Sequence, residues 1–404
     1  MKSDKTTPNV PTLRFAEFTD EWEKYELSHF VTRITRRNKN NESSLPLTIS
    51  AQYGLVDQIS FFNKTVASVD LSGYYLLYNG DFAYNKSYSN EYAWGAVKRL
   101  DKYEKGCLSS LYFVFRPNDN VDSDYLTHYF ESSKWHKGIS NIAGEGARNH
   151  GLLNMAVDDY FATKHYLPSL PEQKKIARIF NAITKRIEIQ NKIIEDLKVL
   201  KKELCNDHFK SVLHDASLKY ITLKEILTER KEYCSKDGTY THGTLSKEGV
   251  APKTERYDRD FLVKNEDKQY KVTHLNDICY NPANLKFGVI CRNTYGDLIF
   301  SPIYVTFKIS DNVYPAYIEL FLTNQNFIGR IRRYEQGTVY ERMAVSPEDF
   351  LSYETHMPTY EEQVKFANEM QCIQRKIELE TAFLSFLQRQ RKYLLNAMFI
   401  RIWR

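Results

Sequence analysis

The chain has 404 residues, too many for one ordinary domain, so two or three are expected. With 42% hydrophobic and 26% charged residues, 16 Gly and 12 Pro, it is neither collagen-like nor low-complexity. A net charge of +5 permits a nucleic-acid partner without demanding one.

No apolar run approaches the ~18 residues of a membrane span, and Met1–Asn9 is polar, without the apolar core of a secretory leader. Cysteines at 107, 205, 234, 279, 291 and 372 include no C-x-x-C pair, which excludes zinc ribbons and thioredoxin-like sites. The expectation is a cytoplasmic protein with reduced thiols.

In chain order, the opening reads Leu13-Arg14-Phe15, then Phe18, Trp22 and Leu27. Strand-forming runs follow at Leu71–Tyr78 and Leu108–Arg116, with a helix predicted over Ser123–Lys137. A Gly-rich loop starts at Gly144. At Pro168 the chain enters a long helix, where Ser169-x-x-Glu172 fits a capping box. Ile176, Phe180, Ile183, Ile187, Gln190, Ile194, Leu197, Lys201 and Leu204 then follow heptad spacing.

A second mixed region carries the runs Val289–Arg292 and Ile299–Ile309, a helix predicted over Pro315–Arg333 and a Gly-rich loop at Gly337–Arg342. A second long helix starts at Thr359-x-x-Glu362. Its seam is Phe366, Met370, Ile373, Ile377, Glu380, Leu384, Leu387, Arg391 and Leu394. Seven of nine positions are apolar in each seam, and the polar ones are equivalent. Such a seam predicts a coiled coil of about four heptads.

These elements form a repeat. Pro168-Ser-Leu-Pro-Glu172-Gln173 recurs as Pro358-Thr-Tyr-Glu-Glu362-Gln363, an offset of 190. Asp81-Phe82-Ala83-Tyr84-Asn85 recurs as Asp277-Ile278-Cys279-Tyr280-Asn281, and Ser109–Phe115 recurs as Ser301–Phe307. Offsets stay between 188 and 196, so the chain is two diverged copies, roughly 1–212 and 213–404. The expected fold class is α+β, with mixed α/β domains at 1–165 and 213–355 and long helices at 166–212 and 356–404, the helices pairing as an antiparallel coiled coil. Keeping polar seam residues away from apolar ones pairs Gln190 with Arg391 and Lys201 with Glu380.

Catalytic motifs are missing. Gly144-Glu145-Gly146 with Gly151 fails dinucleotide spacing, and no P-loop or H-E-x-x-H occurs. Asn281-Pro282-Ala283-Asn284 lacks the second proline and the aromatic of an adenine methyltransferase motif. Glu266-Asp267-Lys268 matches a nuclease-like E-x-K, a pattern expected by chance at this charge density.

Two mixed domains, each followed by a long capped helix, with the opening motif and a doubled Pro-[Ser/Thr]-x-x-Glu-Gln, resemble the specificity subunit of a type I restriction–modification enzyme over nearly the whole chain. The second copy departs from the family's Leu-Pro-Glu, reading Tyr360-Glu361-Glu362. The resemblance implies a non-catalytic, DNA-binding subunit with two target-recognition domains, each reading half of a split, asymmetric site in double-stranded DNA. It also implies two methyltransferase subunits docked on the helices and ATP-driven restriction/motor subunits in the full complex. S-adenosylmethionine, ATP and magnesium would sit on those partners, with no cofactor, metal or membrane contact for this chain. The rival readings are a protein-binding coiled-coil scaffold and the target-recognition part of a fused methyltransferase–nuclease.

The candidate DNA-contacting residues are polar clusters near turns. In the first domain they are Arg33, Arg36, Arg37 and Lys39, then Asn85 and Lys86, then Arg148, Asn149 and His150. In the second they are Arg230, Lys231 and Lys236, then Asn281, Asn284 and Lys286, then Tyr340 and Arg342. Arg and Lys suit phosphate and guanine, and Asn suits adenine.

Overall fold

The computed structural model describes residues 9–64, 66–88, 92–144, 151–235, 239–253, 269–336 and 343–400. Two compact units divide the chain, one formed by residues 1–191 with 382–404, the other by 192–381. Compactness therefore cuts the chain differently from the repeat. Each unit holds one mixed domain, the start of one long helix and the end of the other.

Both units are built on the same four-stranded antiparallel sheet. In the first, the spatial order is Val31–Arg33, Phe113–Pro117, Phe82–Asn85, Ala96–Arg99. In the second it is Leu227–Glu229, Val305–Ile309, Ile278–Tyr280, Ile290–Arg292. The central strands are apolar on both faces because both faces are covered. Phe82 and Tyr84 join the helix-side core of the first unit, whereas Ala83 between them joins the outer core. Ile278, Tyr280 and Cys279 divide in the same way in the second.

On the inner face lie paired short helices, Ser123–Glu131 with His136–Ile142, and Pro315–Leu322 with Gln325–Ile331. The sequence predicts one helix over Ser123–Lys137 and one over Pro315–Arg333, and each is divided. Asn324 breaks the second by capping the next turn, its side chain accepting from Asn326 N at 2.8 Å. The run Leu108–Arg116 also divides, since Tyr112 N turns back to Ser109 O (3.3 Å), as Tyr304 N does to Ser301 O (3.1 Å). The outer layers differ between the units. The first has two two-stranded sheets, Leu47–Ser50 with Gly54–Asp57 and Tyr75–Tyr78 with Lys105–Leu108. The second has a five-stranded sheet that includes Tyr270–Thr273, Leu298–Phe300 and Thr241–Ser246.

The long helices are Leu170–His214 and Tyr360–Ala397. Within each unit the start of one packs beside the end of the other, so they run antiparallel. The Phe180 ring stacks on Phe399 at 5.6 Å in the first unit, and the His208 ring on Phe366 at 3.6 Å in the second. Ile176, Phe180, Met398 and Phe399 share the first core, and Cys205, Phe209, Ala367 and Met370 the second.

The polar seam residues have partners outside the pairs expected from the sequence. Lys201 Nζ donates to Gln374 at 2.8 Å, Glu380 pairs with Lys376 one turn earlier in its own helix, and Arg391 reaches Glu131 of the first domain. A seam considered alone omits these closer partners. Burial would raise the Glu131 pKa, but His128, Arg391 and Lys98 hold it down at about 2.

The doubled Glu-Gln motif joins helix to domain. Gln173 donates to Pro168 O (2.9 Å) and accepts from Asp122 N (2.8 Å), the residue that caps the first short helix. Gln363 repeats the arrangement, donating to Pro358 O (2.9 Å) and accepting from Tyr314 N (2.9 Å). Of the two expected capping boxes, Thr359 and Glu362 form one, with Thr359 N donating to Glu362 at 2.9 Å. Glu172 instead places both oxygens on Arg14 at 2.8 Å each. The opening motif thus anchors to the helices, with Leu13 N donating to Ala397 O (2.9 Å) and Trp22 buried against Tyr125.

Candidate nucleic-acid interface

In each unit the central strand, Phe82–Asn85 or Ile278–Tyr280, separates the described candidates into two groups, one at each of its ends. At its start stands a buried aspartate, Asp81 or Asp277, whose carboxylate closes a tight turn by accepting from Tyr78 N (2.7 Å) or His274 N (2.8 Å). A charge buried there requires a partner. Arg36 donates to Asp81 Oδ2 (2.8 Å) and Leu76 O (3.0 Å), and Arg116 Nε to Asp81 Oδ1 (2.6 Å). Arg230 grips Asp277 with two bonds of 2.7 and 3.0 Å, and this hydrogen bonding raises its pKa further. Arg36 and Arg230 are therefore tied to the fold by pairing with a buried aspartate in both copies.

Arg37 lies over the Tyr75 ring at 4.2 Å and donates to Gly73 O. Arg33 is 41% exposed, with Asp158 at 3.8 Å, and Lys39 is exposed. Lys231 is exposed, 3.8 Å from Glu229. Around Arg230 the second unit is rich in carboxylates. His274 bridges Asp297 (2.8 Å) and Glu232 (3.0 Å), which raise its pKa against the opposing effect of burial. Buried Lys271 donates to Glu229 at 3.0 Å.

The other group stands at the strand's end. Asn85 accepts from Ser87 N (2.9 Å), and Lys86 Nζ lies over Phe113 at 4.8 Å. Asn281 accepts from Ala283 N (3.1 Å), starting the short helical stretch Pro282–Phe287 that carries Asn284 and Lys286. Lys286 lies over the exposed Phe287 ring at 5.3 Å. These segments abut the bases of the Gly-rich loops. Leu153 N donates to Lys86 O (2.9 Å) and Tyr88 N to Gly151 O (3.1 Å), while Val345 N donates to Pro282 O (3.4 Å). Gln336 and Ala344 close the second loop's base by mutual backbone bonds of 2.9 and 3.0 Å. Arg148, Asn149, His150, Lys236, Tyr340 and Arg342 lie outside the described residues.

Sequence reasoning missed Arg116 and the glutamine clips. Arg116 had a signal, since its repeat partner is the basic Lys308. Among the described residues no group of three His, Cys, Asp or Glu could hold a metal ion, and no helix is long and apolar enough to cross a membrane. The long helices also expose large apolar side chains at helical spacing: Ile189, Ile193, Leu200 and Leu204 on one, Leu379, Phe386 and Tyr393 on the other.

Comparison with known proteins bears out the resemblance. Residues 20–199 match the family described as the type I restriction modification DNA specificity domain. A type I restriction enzyme specificity subunit of Methanocaldococcus jannaschii is 22% identical, over 96% of this chain and 95% of its own. The fold matches the HsdS subunit of Thermoanaerobacter tengcongensis (TM-score 0.51, 15% identity, 95% of this chain and 99% of that one). It also matches the type I restriction–modification S subunit of M. genitalium (TM-score 0.52, 14% identity, 98% of this chain and 100% of that one).

Proposed function

We propose that this chain, which carries a type I restriction–modification specificity domain, is the DNA-reading member of such a system and acts in the cytoplasm. Each unit reads one half of a bipartite, asymmetric target in double-stranded DNA. The long helices join the two readers and dock two methyltransferase subunits, and restriction/motor subunits complete the assembly. S-adenosylmethionine, ATP and magnesium belong to those partners, and this chain performs no chemistry of its own.

The observation that carries the reading is the duplicated framework with unlike outer layers. The same sheet order, arginine pairing with a buried aspartate, and glutamine clip occur twice. The layer outside the sheet is two small sheets in one unit and a five-stranded sheet in the other. Two readers on one scaffold with different reading surfaces suit a target whose halves differ. The exposed apolar rows on the helices suit protein subunits rather than DNA.

The test is fluorescence anisotropy with a labelled random duplex, for the full chain alone and with its methyltransferase. Binding that weakens steeply with salt supports the reading. Binding to the methyltransferase with no affinity for duplex at low salt would favour the scaffold.

A further inference from the structure

We propose that the arginine groove at the start of the first unit's central strand clamps a phosphodiester of the DNA backbone, and that the second unit lacks this clamp. The proposal rests on the DNA-reading function above and assigns one anion contact to named residues.

Arg33, Arg36 and Arg116 line one open groove together with Thr32, Asn118 and the carboxylate Asp119, so three cations there face two anions, Asp81 and Asp119. Asp81 is fully buried, and both its oxygens are already engaged, one by Arg116 and the other by Arg36 and the Tyr78 amide. One carboxylate cannot neutralise two guanidinium groups, so this trio carries a net positive charge. Its arginines are held in place by the buried anion, so a ligand need not order them. Arg33 adds a third cation. Its contact with Asp158, at 3.8 Å and with that side chain 98% exposed, offsets little of its charge. Planar guanidinium groups held at a groove suit a phosphate.

The second unit has the same sheet and a different charge. Arg33 lies opposite Phe115 and Glu229 lies opposite Phe307, and the two phenylalanines are repeat partners. Glu229 therefore occupies the place of Arg33. By the same pairing, Lys308 occupies the place of Arg116. Asp277 is gripped by the single Arg230, and Glu229, Glu232 and Asp297 surround that end. An arginine facing a phosphate in one reader is replaced by a carboxylate in the other.

The experiment measures duplex affinity of the full chain against salt concentration for wild type, Arg33→Gln, Arg116→Gln and the control Lys102→Gln, an exposed lysine on the same domain. Arg116→Gln leaves Asp81 paired with Arg36, so the buried aspartate keeps a cation. Each arginine variant is expected to bind several-fold more weakly and to lower the slope of log affinity on log salt by about 0.9, the value of one phosphate contact. The control is expected to leave the slope unchanged.

Unchanged slopes in both arginine variants, or an equal change in the control, would overturn the clamp while leaving DNA binding intact. Absence of duplex binding by wild type would instead overturn the DNA-reading function, and the clamp with it. Calorimetric titration with inorganic phosphate is expected to give no saturable binding. Saturable binding lost in Arg116→Gln would reassign the groove to a free anion.

Discussion

Replacing Gln363 by Met keeps the length of the side chain and removes both of its hydrogen bonds. Pro358 O loses a donor and Tyr314 N an acceptor, each at 2.9 Å in the present fold. Gln363 is 1% exposed, so water cannot take its place. Each buried backbone group left unsatisfied costs about 1–3 kcal/mol, so the variant should lose about 2–6 kcal/mol. The loss should fall on the second unit alone. A chain of two units does not unfold in one step, so a single midpoint would mix them. Hydrogen exchange read by mass spectrometry separates them. The opening free energy of Pro315–Leu322 should drop, while that of Ser123–Glu131 in the first unit stays. Gln173→Met should do the reverse. Gln363→Glu keeps an acceptor for Tyr314 but faces the Pro358 carbonyl with a charge, and should be no better than Met. A loss below about 1 kcal/mol in both methionine variants would refute the clip.

Three further outcomes follow from the same packing. Arg14→Ala strands the buried Glu172 carboxylate and should destabilise the first unit by about 3–5 kcal/mol, with Arg14→Ala/Glu172→Gln recovering part of it in denaturation monitored by exchange. His165 is buried between the Tyr129 and Thr163 hydroxyls, and burial pulls its pKa from 6.5 to about 3. The unfolded histidine binds a proton that the folded one refuses, so this contribution is full above pH 6.5 and is lost as the pH falls toward 3, by about 1.4 kcal/mol per unit. His165→Gln should remove that slope from the first unit, and an identical slope in wild type and variant would contradict the assignment. Exchanging residues 20–165 for the matching domain of a relative should change one half of the recognised motif, read by methylation mapping, and a change in both halves would show that the readers are not separate.

Much of this architecture was legible because it occurs twice. The repeated Asp81 and Asp277 segments became the two central strands, and the Pro-to-Gln motif marked the start of both long helices. The roles within those motifs were not legible. Gln173 and Gln363 bind backbone groups, which no pattern of residue types reveals. Arg36 and Arg230 read as surface charges because their carboxylate partners stand 45 and 47 residues away. The signal was there, since both members of each pair recur near the same offset. The partner of Arg391 was not legible for a related reason. Arg391 is held by Glu131, a residue of the domain, which a heptad analysis of the helices does not include.

Methylation mapping of a host that carries this chain with its methyltransferase, compared with the same host lacking only this chain, tests directly whether the chain reads the target. A bipartite motif of two unlike halves with a fixed spacer is expected in the first host and not in the second. A continuous motif, or methylation that persists without this chain, would contradict the DNA-reading function.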